Sequence, residues 1–148
     1  WHNLLLTKNG TTYTIFLNGT QEGQSTKLNI NITDLLIGRR SYNGFFFDGQ
    51  ISNVAIWNSD QSANKDNIYN YGAPQTSYTV TPTAWYKLDK TSKFTGLNAN
   101  WHSALSFNGS GNRVDLSSSI DLGTVNTISL WLRNEVSQDR IFLGEDSY

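Results

Sequence analysis

The stretch HNLLLTKNGTTYTIFLNG, residues 2–19, decides the fold class. His2 to Lys8 and Thr11 to Leu17 read as two strands joined at Asn9-Gly10, and Asn18-Gly19 follows the second of them. Asn-Gly pairs accept the positive φ angles that tight hairpin turns require. Side chains alternate across a strand, so Tyr13, Ile15 and Leu17 share one side, and their apolar character assigns that side to the core. On this register Ile15→Asp would bury an unpaired charge and cost several kcal/mol.

The same signals recur along the chain. Leu28-Asn29-Ile30-Asn31-Ile32-Thr33 alternates strictly, and Ile128 to Leu132 repeats the pattern with Trp131 on the opposite face. In Gln50 to Trp57, Ile51, Ala55 and Trp57 share one parity while Val54 and Ile56 share the other. Both faces are therefore apolar, which predicts a strand inside the sheet rather than at its edge. Further Asn-Gly pairs stand at 43–44 and 108–109. One segment reads as helix: Ser62 caps it, Ile68 and Tyr71 face inward, and Gly72 and Pro74 end it. Many short antiparallel strands and one short peripheral helix predict an all-β, two-sheet β-sandwich.

Composition narrows the function. Eleven Lys and Arg against twelve Asp and Glu, a formal net charge of -1, supply none of the positive field that holds a phosphate backbone, so nucleic acid is not expected as a partner. No apolar run approaches the roughly 20 residues of a membrane helix, so no membrane insertion is expected. The absence of cysteine removes disulfides and thiolate chemistry and leaves the compartment open.

Several ordered motifs carry a resemblance. Trp1-His2, Phe16-Leu17-Asn18-Gly19, Leu36-Ile37-Gly38-Arg39-Arg40 and the run Phe47-Asp48-Gly49-Gln50-Ile51-Ser52-Asn53-Val54-Ala55-Ile56-Trp57-Asn58 resemble the second half of the laminin-G-like family. Ala84-Trp85-Tyr86-Lys87-Leu88-Asp89, then Ala104 to Val114 and Thr127 to Leu132, are similar to its first half. The resemblance implies a concanavalin-A-like jelly roll whose halves stand in reversed order: 1–80 as the family's C-terminal half, 81–83 as linker within the Gly-, Pro-, Ser- and Thr-containing stretch 72–83, and 84–148 as its N-terminal half. Either the chain spans a seam between tandem copies, or it is one circularly permuted sandwich. The seam is the working expectation, because the sequence breaks off at Asp146-Ser147-Tyr148 where another strand is due, and it predicts few contacts between the two segments.

Catalytic chemistry finds little support. Glycoside hydrolysis needs two carboxylates roughly 5–10 Å apart. The acidic residues are scattered, and the adjacent pair Glu145-Asp146 would point to opposite faces of a strand. His2 and His102 have no acid partner nearby in sequence. The resemblance implies calcium as a candidate cofactor, with Asp48, Ser52, Asn108 and Asp115 as candidate ligands; Ser52 and Asn108 stand where relatives carry acidic residues, which lowers the expected affinity. Tyr42 and Asn43, on a predicted loop, are candidate ligand-binding residues, a ring for stacking on sugar and an amide for hydrogen bonding. Most of the aromatic residues, Trp57, Trp85 and Trp131 above all, are expected in the core.

The expectation is a non-enzymatic binding or structural module of an extracellular, cell-surface or virion setting, with a glycan or protein as ligand and neighbouring copies of the domain as partners. A purely structural tandem repeat of a phage or bacterial surface protein is the alternative, and a glycosidase the distant one.

Overall fold

The hairpin read from residues 2–19 is the start of the larger of two sheets. The computed structural model describes residues 1–28, 35–38, 46–87, 99–100, 104–115, 120, 122–134 and 143–145. Strands β1 (His2–Asn9), β2 (Thr12–Leu17) and β3 (Thr20–Thr26) form a meander. Gly10 has φ 58°, while Asn18 and Gly19 have φ 51° and 78°, so the second turn uses both residues of its Asn-Gly pair in the left-handed region. Then follow β4 (Leu35–Ile37), β5 (Asp48–Trp57), α1 (Lys65–Tyr69), β6 (Ala84–Tyr86), β7 (Ala99–Asn100), β8 (Ala104–Asn108), β9 (Val114–Asp115), β10 (Val125–Asn134) and β11 (Leu143–Glu145). The larger sheet runs β3-β2-β1-β10-β5-β8-β7 with β6 also on β5, and the smaller runs β11-β4-β9, all pairs antiparallel.

This order corrects the expectation of few contacts between residues 1–80 and 84–148. β10 inserts between β1 and β5, pairing His2 with Leu132 on one side and Ile56 with Ile128 on the other. The smaller sheet is mixed in the same way, since β4 lies between β11 and β9. Leu4, Leu35, Ile37, Val54, Ile56, Leu105, Phe107, Val114 and Leu130 then share one buried core between the sheets. The physical reason is edge satisfaction: without β10, β1 and β5 would each leave a hydrogen-bonding edge open and apolar side chains bare.

β5 is interior, as its two apolar faces predict, yet its parity is not continuous. Asn53 has φ 54°, and the register with β10 shifts between Ser129 and Trp131. This bulge puts Ile51 on the same core face as Val54 and Ile56, and sends Ser52, Ala55 and Trp57 to the other face. Gly38 ends β4 with φ 86°, and a Cβ there would lie 2.2 Å from the Phe107 ring, so the close approach of the two sheets requires glycine.

Three further readings are corrected. Ile15 shares a face with Leu17 as expected but is 44% exposed, because β2 lies at the margin of the layer that β4 and β9 supply. The buried residues of β2 are Thr14 and Phe16, on its other face. Tyr71 is 99% exposed with φ 54°, while Ile68 is buried, so the helical segment turns out of its inward phase after Tyr69. Ser62 does not cap that segment: it is the first residue of a 3-10 turn, Ser62–Asn64, and Asn64 stands at the N-cap of α1 with no side-chain cap hydrogen bond. Leu28 is exposed beyond the end of β3, and residues 29–34 of the strand read there lie outside the described residues.

Gly38→Ala is expected to lose about 2 kcal/mol or more in urea denaturation, from a disallowed φ and a forced shift of Phe107. Ile15→Asp, now a marginal position, is expected to lose about 1 kcal/mol. Equal losses for the two variants would contradict the burial described here.

Candidate functional site

The second face of the larger sheet begins as alternation from β1. Leu4 and Leu6 point into the core between the sheets, so Leu5 points away and needs its own cover. Leu5, Phe16, Ala55, Trp57 and Ile68 form a second buried cluster, with Tyr78 and Trp85 packed against it. Residues 58–83 supply that cover. Trp57 Nε1 donates to the Val80 carbonyl at 2.9 Å, and Tyr78 sits edge-on to both Trp57 and Trp85, with ring centroids 5.0 and 4.8 Å away. The bulged Asn53 completes the cluster: its Nδ2 donates to the Tyr78 hydroxyl at 3.3 Å and its Oδ1 accepts Trp85 Nε1 at 2.6 Å.

Towards the β1–β3 side the same face turns polar and, among the described residues, the cover stops short. A groove of about 480 Å³ opens there, lined by Thr7 and Asn9 of β1, Thr12, Thr14 and Phe16 of β2, Gln21 and Gln24 of β3, and Asp60 and Ser62 from the covering segment. Cross-strand register puts these side chains together. Thr7 faces Thr14, which faces Gln24, and Gln24 Nε2 donates to Thr14 Oγ1 at 3.2 Å. Gln21 and Gln24 are three residues apart and would normally point to opposite sides; a register shift between Ile15 and Phe16 places both on the groove face.

The far wall is fixed by hydrogen bonds. Buried Thr127 accepts the Gln61 backbone N–H at 2.9 Å and donates to the Ser59 carbonyl at 2.8 Å, while Gln61 Oε1 accepts Asn64 Nδ2 at 2.7 Å. Asp60 is held at the lip, with Oδ1 accepting the Ser62 N–H at 2.9 Å and Oδ2 accepting Asn9 Nδ2 at 3.3 Å. The floor ring, Phe16, is only 4% exposed. The groove thus offers hydroxyls and amides on paired strands, with one carboxylate and a further hydroxyl on the covering segment, a set suited to hydrogen bonding a polyhydroxylated ligand.

The residues singled out from sequence fall elsewhere. Tyr42 and Asn43 lie outside the described residues. Asp48 and Asn108 are direct cross-strand partners. Asn108 Oδ1 accepts the Ser110 N–H at 3.0 Å, closing its own turn. Ser52 is buried four residues further along the same strand as Asp48, about 13 Å away, where its Oγ donates to the Lys87 carbonyl at 3.4 Å. Asp115 pairs with Leu36 in the smaller sheet. Asp48 and Ser52 thus lie apart along β5, and among the described residues no three His, Asp or Glu side chains converge. The groove residues escaped sequence reasoning because Thr7, Thr14 and Gln24 look like ordinary solvated strand positions. The available signal was the run Leu4-Leu5-Leu6, whose middle residue requires a covered second face.

Residues 1–65 match the laminin G family model described as the concanavalin A-like lectin/glucanases superfamily. The matched stretch contains β1 to β5 and all nine residues that line the groove. No curated protein and no solved structure gives a significant match to the chain.

Burial of Tyr78 raises the pKa of its phenol, an effect that the hydrogen bond from Asn53 partly offsets. In the unfolded chain a tyrosine ionises near pH 10. Above that pH the unfolded state loses the proton first, so this residue's contribution to stability falls as pH rises. Unfolding free energies measured from pH 8 to about 12 should therefore decline less steeply for Tyr78→Phe than for the parent chain. Parallel slopes would place Tyr78 in solvent.

Proposed function

We propose that this chain, laminin-G-like over residues 1–65, is a non-catalytic module that recognises glycans in the groove between β1–β3 and the 58–64 segment. The observation that carries the reading is the groove itself: a volume of about 480 Å³ in which the lining is hydroxyl and amide apart from Phe16 and Asp60. Its size falls within the range of small-molecule sites, and most of its polar groups stand on paired strands, which lowers the ordering required on binding. A lectin-like superfamily provides the setting, although fold alone does not choose a ligand. The non-catalytic part rests on the carboxylates: Asp60 is the single acid among the described lining residues, whereas glycoside hydrolysis uses two. An extracellular, cell-surface or virion location, with neighbouring copies of the domain, fits a module that binds weakly at each site and gains strength by repetition.

Gln21 and Gln24 are exposed on β3, so replacing both with Ala should leave the melting temperature nearly unchanged. The double variant should weaken glycan binding at least about fivefold, the loss of two modest hydrogen bonds. Glycan-array screening followed by calorimetry checks this, and no binding to any glycan at millimolar concentration would remove the proposal.

A further inference from the structure

We infer that the groove selects uncharged glycans and rejects polyanionic ones, with Asp60 as the acceptor for ligand hydroxyls; this rests on the reading of the groove as a glycan site. The charge balance of the lining comes first. Among the nine lining residues the only ionisable side chain is Asp60, and no Lys or Arg is present to receive a carboxylate, sulfate or phosphate. A charged sugar entering here would lose water beside a like charge with no cation to compensate it.

The valences of Asp60 come second. A carboxylate accepts about four hydrogen bonds, two at each oxygen. One position on Oδ1 is taken by the Ser62 N–H and one on Oδ2 by Asn9 Nδ2. The carboxylate is thus oriented by the protein and keeps acceptor capacity on both oxygens. Sugar hydroxyls supply the protons that this capacity requires; sulfate and carboxylate groups supply none. Thr14 supports the same polarity, because its oxygen accepts from Gln24 Nε2 and its own proton is left to donate.

The lack of an open ring face among the described lining residues comes third. Phe16 forms the floor at 4% exposure, so it offers a small apolar patch rather than an open ring face. Recognition then depends on the pattern of hydroxyls, which makes the site discriminating in chemistry and modest in affinity.

The test uses the whole chain, labelled with ¹⁵N, titrated with cellohexaose and chitohexaose as neutral probes and with hexagalacturonate and a heparin-derived hexasaccharide as anionic probes. The expected result is binding of at least one neutral probe with shifts at Thr14, Gln24 and Asp60, and at least about tenfold weaker binding of both anionic probes. Asp60→Asn keeps an oxygen for the Ser62 N–H, and Asn9 can turn its amide to accept from the new NH2 group, so both contacts of the wall survive. It should weaken the neutral probe about tenfold and narrow the gap to the anionic ones. Anionic probes binding as well as neutral ones in the same groove would overturn the selectivity while leaving the glycan reading intact. An unchanged preference in Asp60→Asn would overturn the role of Asp60. Binding of a lysine-rich peptide with no response to any sugar would overturn both the inference and the reading beneath it.

Discussion

The insertion of β10 between β1 and β5 is the constraint on which the rest of the structure depends. Its two edges satisfy the backbone groups of both neighbours, and its two faces serve different ends. Ile128, Leu130 and Leu132 point into the core between the sheets, while Thr127, Ser129 and Trp131 point to the second face. On that face Ser129 Oγ accepts Asn3 Nδ2 at 3.2 Å, and Trp131 stacks on Tyr69 with centroids 6.1 Å apart. One strand therefore ties the hairpin, the central strand β5 and the covering segment into a single body. The start of β10 adds a further tie, since the Thr124 carbonyl accepts both the Gly10 N–H and Lys8 Nζ, at 3.0 and 2.9 Å.

Much of this architecture was legible because it obeys simple periods. The β1–β2 hairpin follows from alternation and an Asn-Gly turn, and the interior place of β5 follows from apolar residues on both parities. What stayed hidden lies where a period breaks. The bulge at Asn53 joins Ile51 to Val54 and Ile56 on one face, although odd and even positions should diverge. The register shift in β3 does the same for Gln21 and Gln24. A bulge costs one residue its place in the ladder and leaves almost no local mark in composition. Asn53 tolerates the left-handed backbone, but so do many asparagines in this Asn-rich chain.

The second face explains the remaining errors of reading. A sandwich strand is expected to bury one side and wet the other, which makes Ile15 look interior and Thr14 exterior. Here both sides of the larger sheet are covered, one by the smaller sheet and the other by residues 58–83. Burial then depends on distance from the centre of each cover rather than on parity. Ile15 sits beyond the first cover and is half exposed; Phe16 lies beneath the second and is buried. The stretch 72–83, linker-like in composition, is part of that cover through Tyr78 and the Val80 carbonyl. Gly, Pro, Ser and Thr permit an irregular path, and two aromatic contacts are enough to hold it down.

The boundary between apolar and polar cover also defines the groove. Where the sheet presents Leu5, Ala55 and Trp57, residues 58–83 pack down and exclude water. Where it presents Thr7, Thr14 and Gln24, close packing would strand hydroxyls and amides without partners, a cost of about 1–3 kcal/mol for each unsatisfied group. The covering segment therefore turns away after Asp60, anchored by Thr127 to Gln61 and by Asp60 to Asn9. Among the described residues the opening thus follows the chemistry of the sheet. The same hydrogen bonds that end the cover also orient Asp60, so the lip of the groove is set by the protein's own contacts, the preorganisation that the proposed glycan reading calls for.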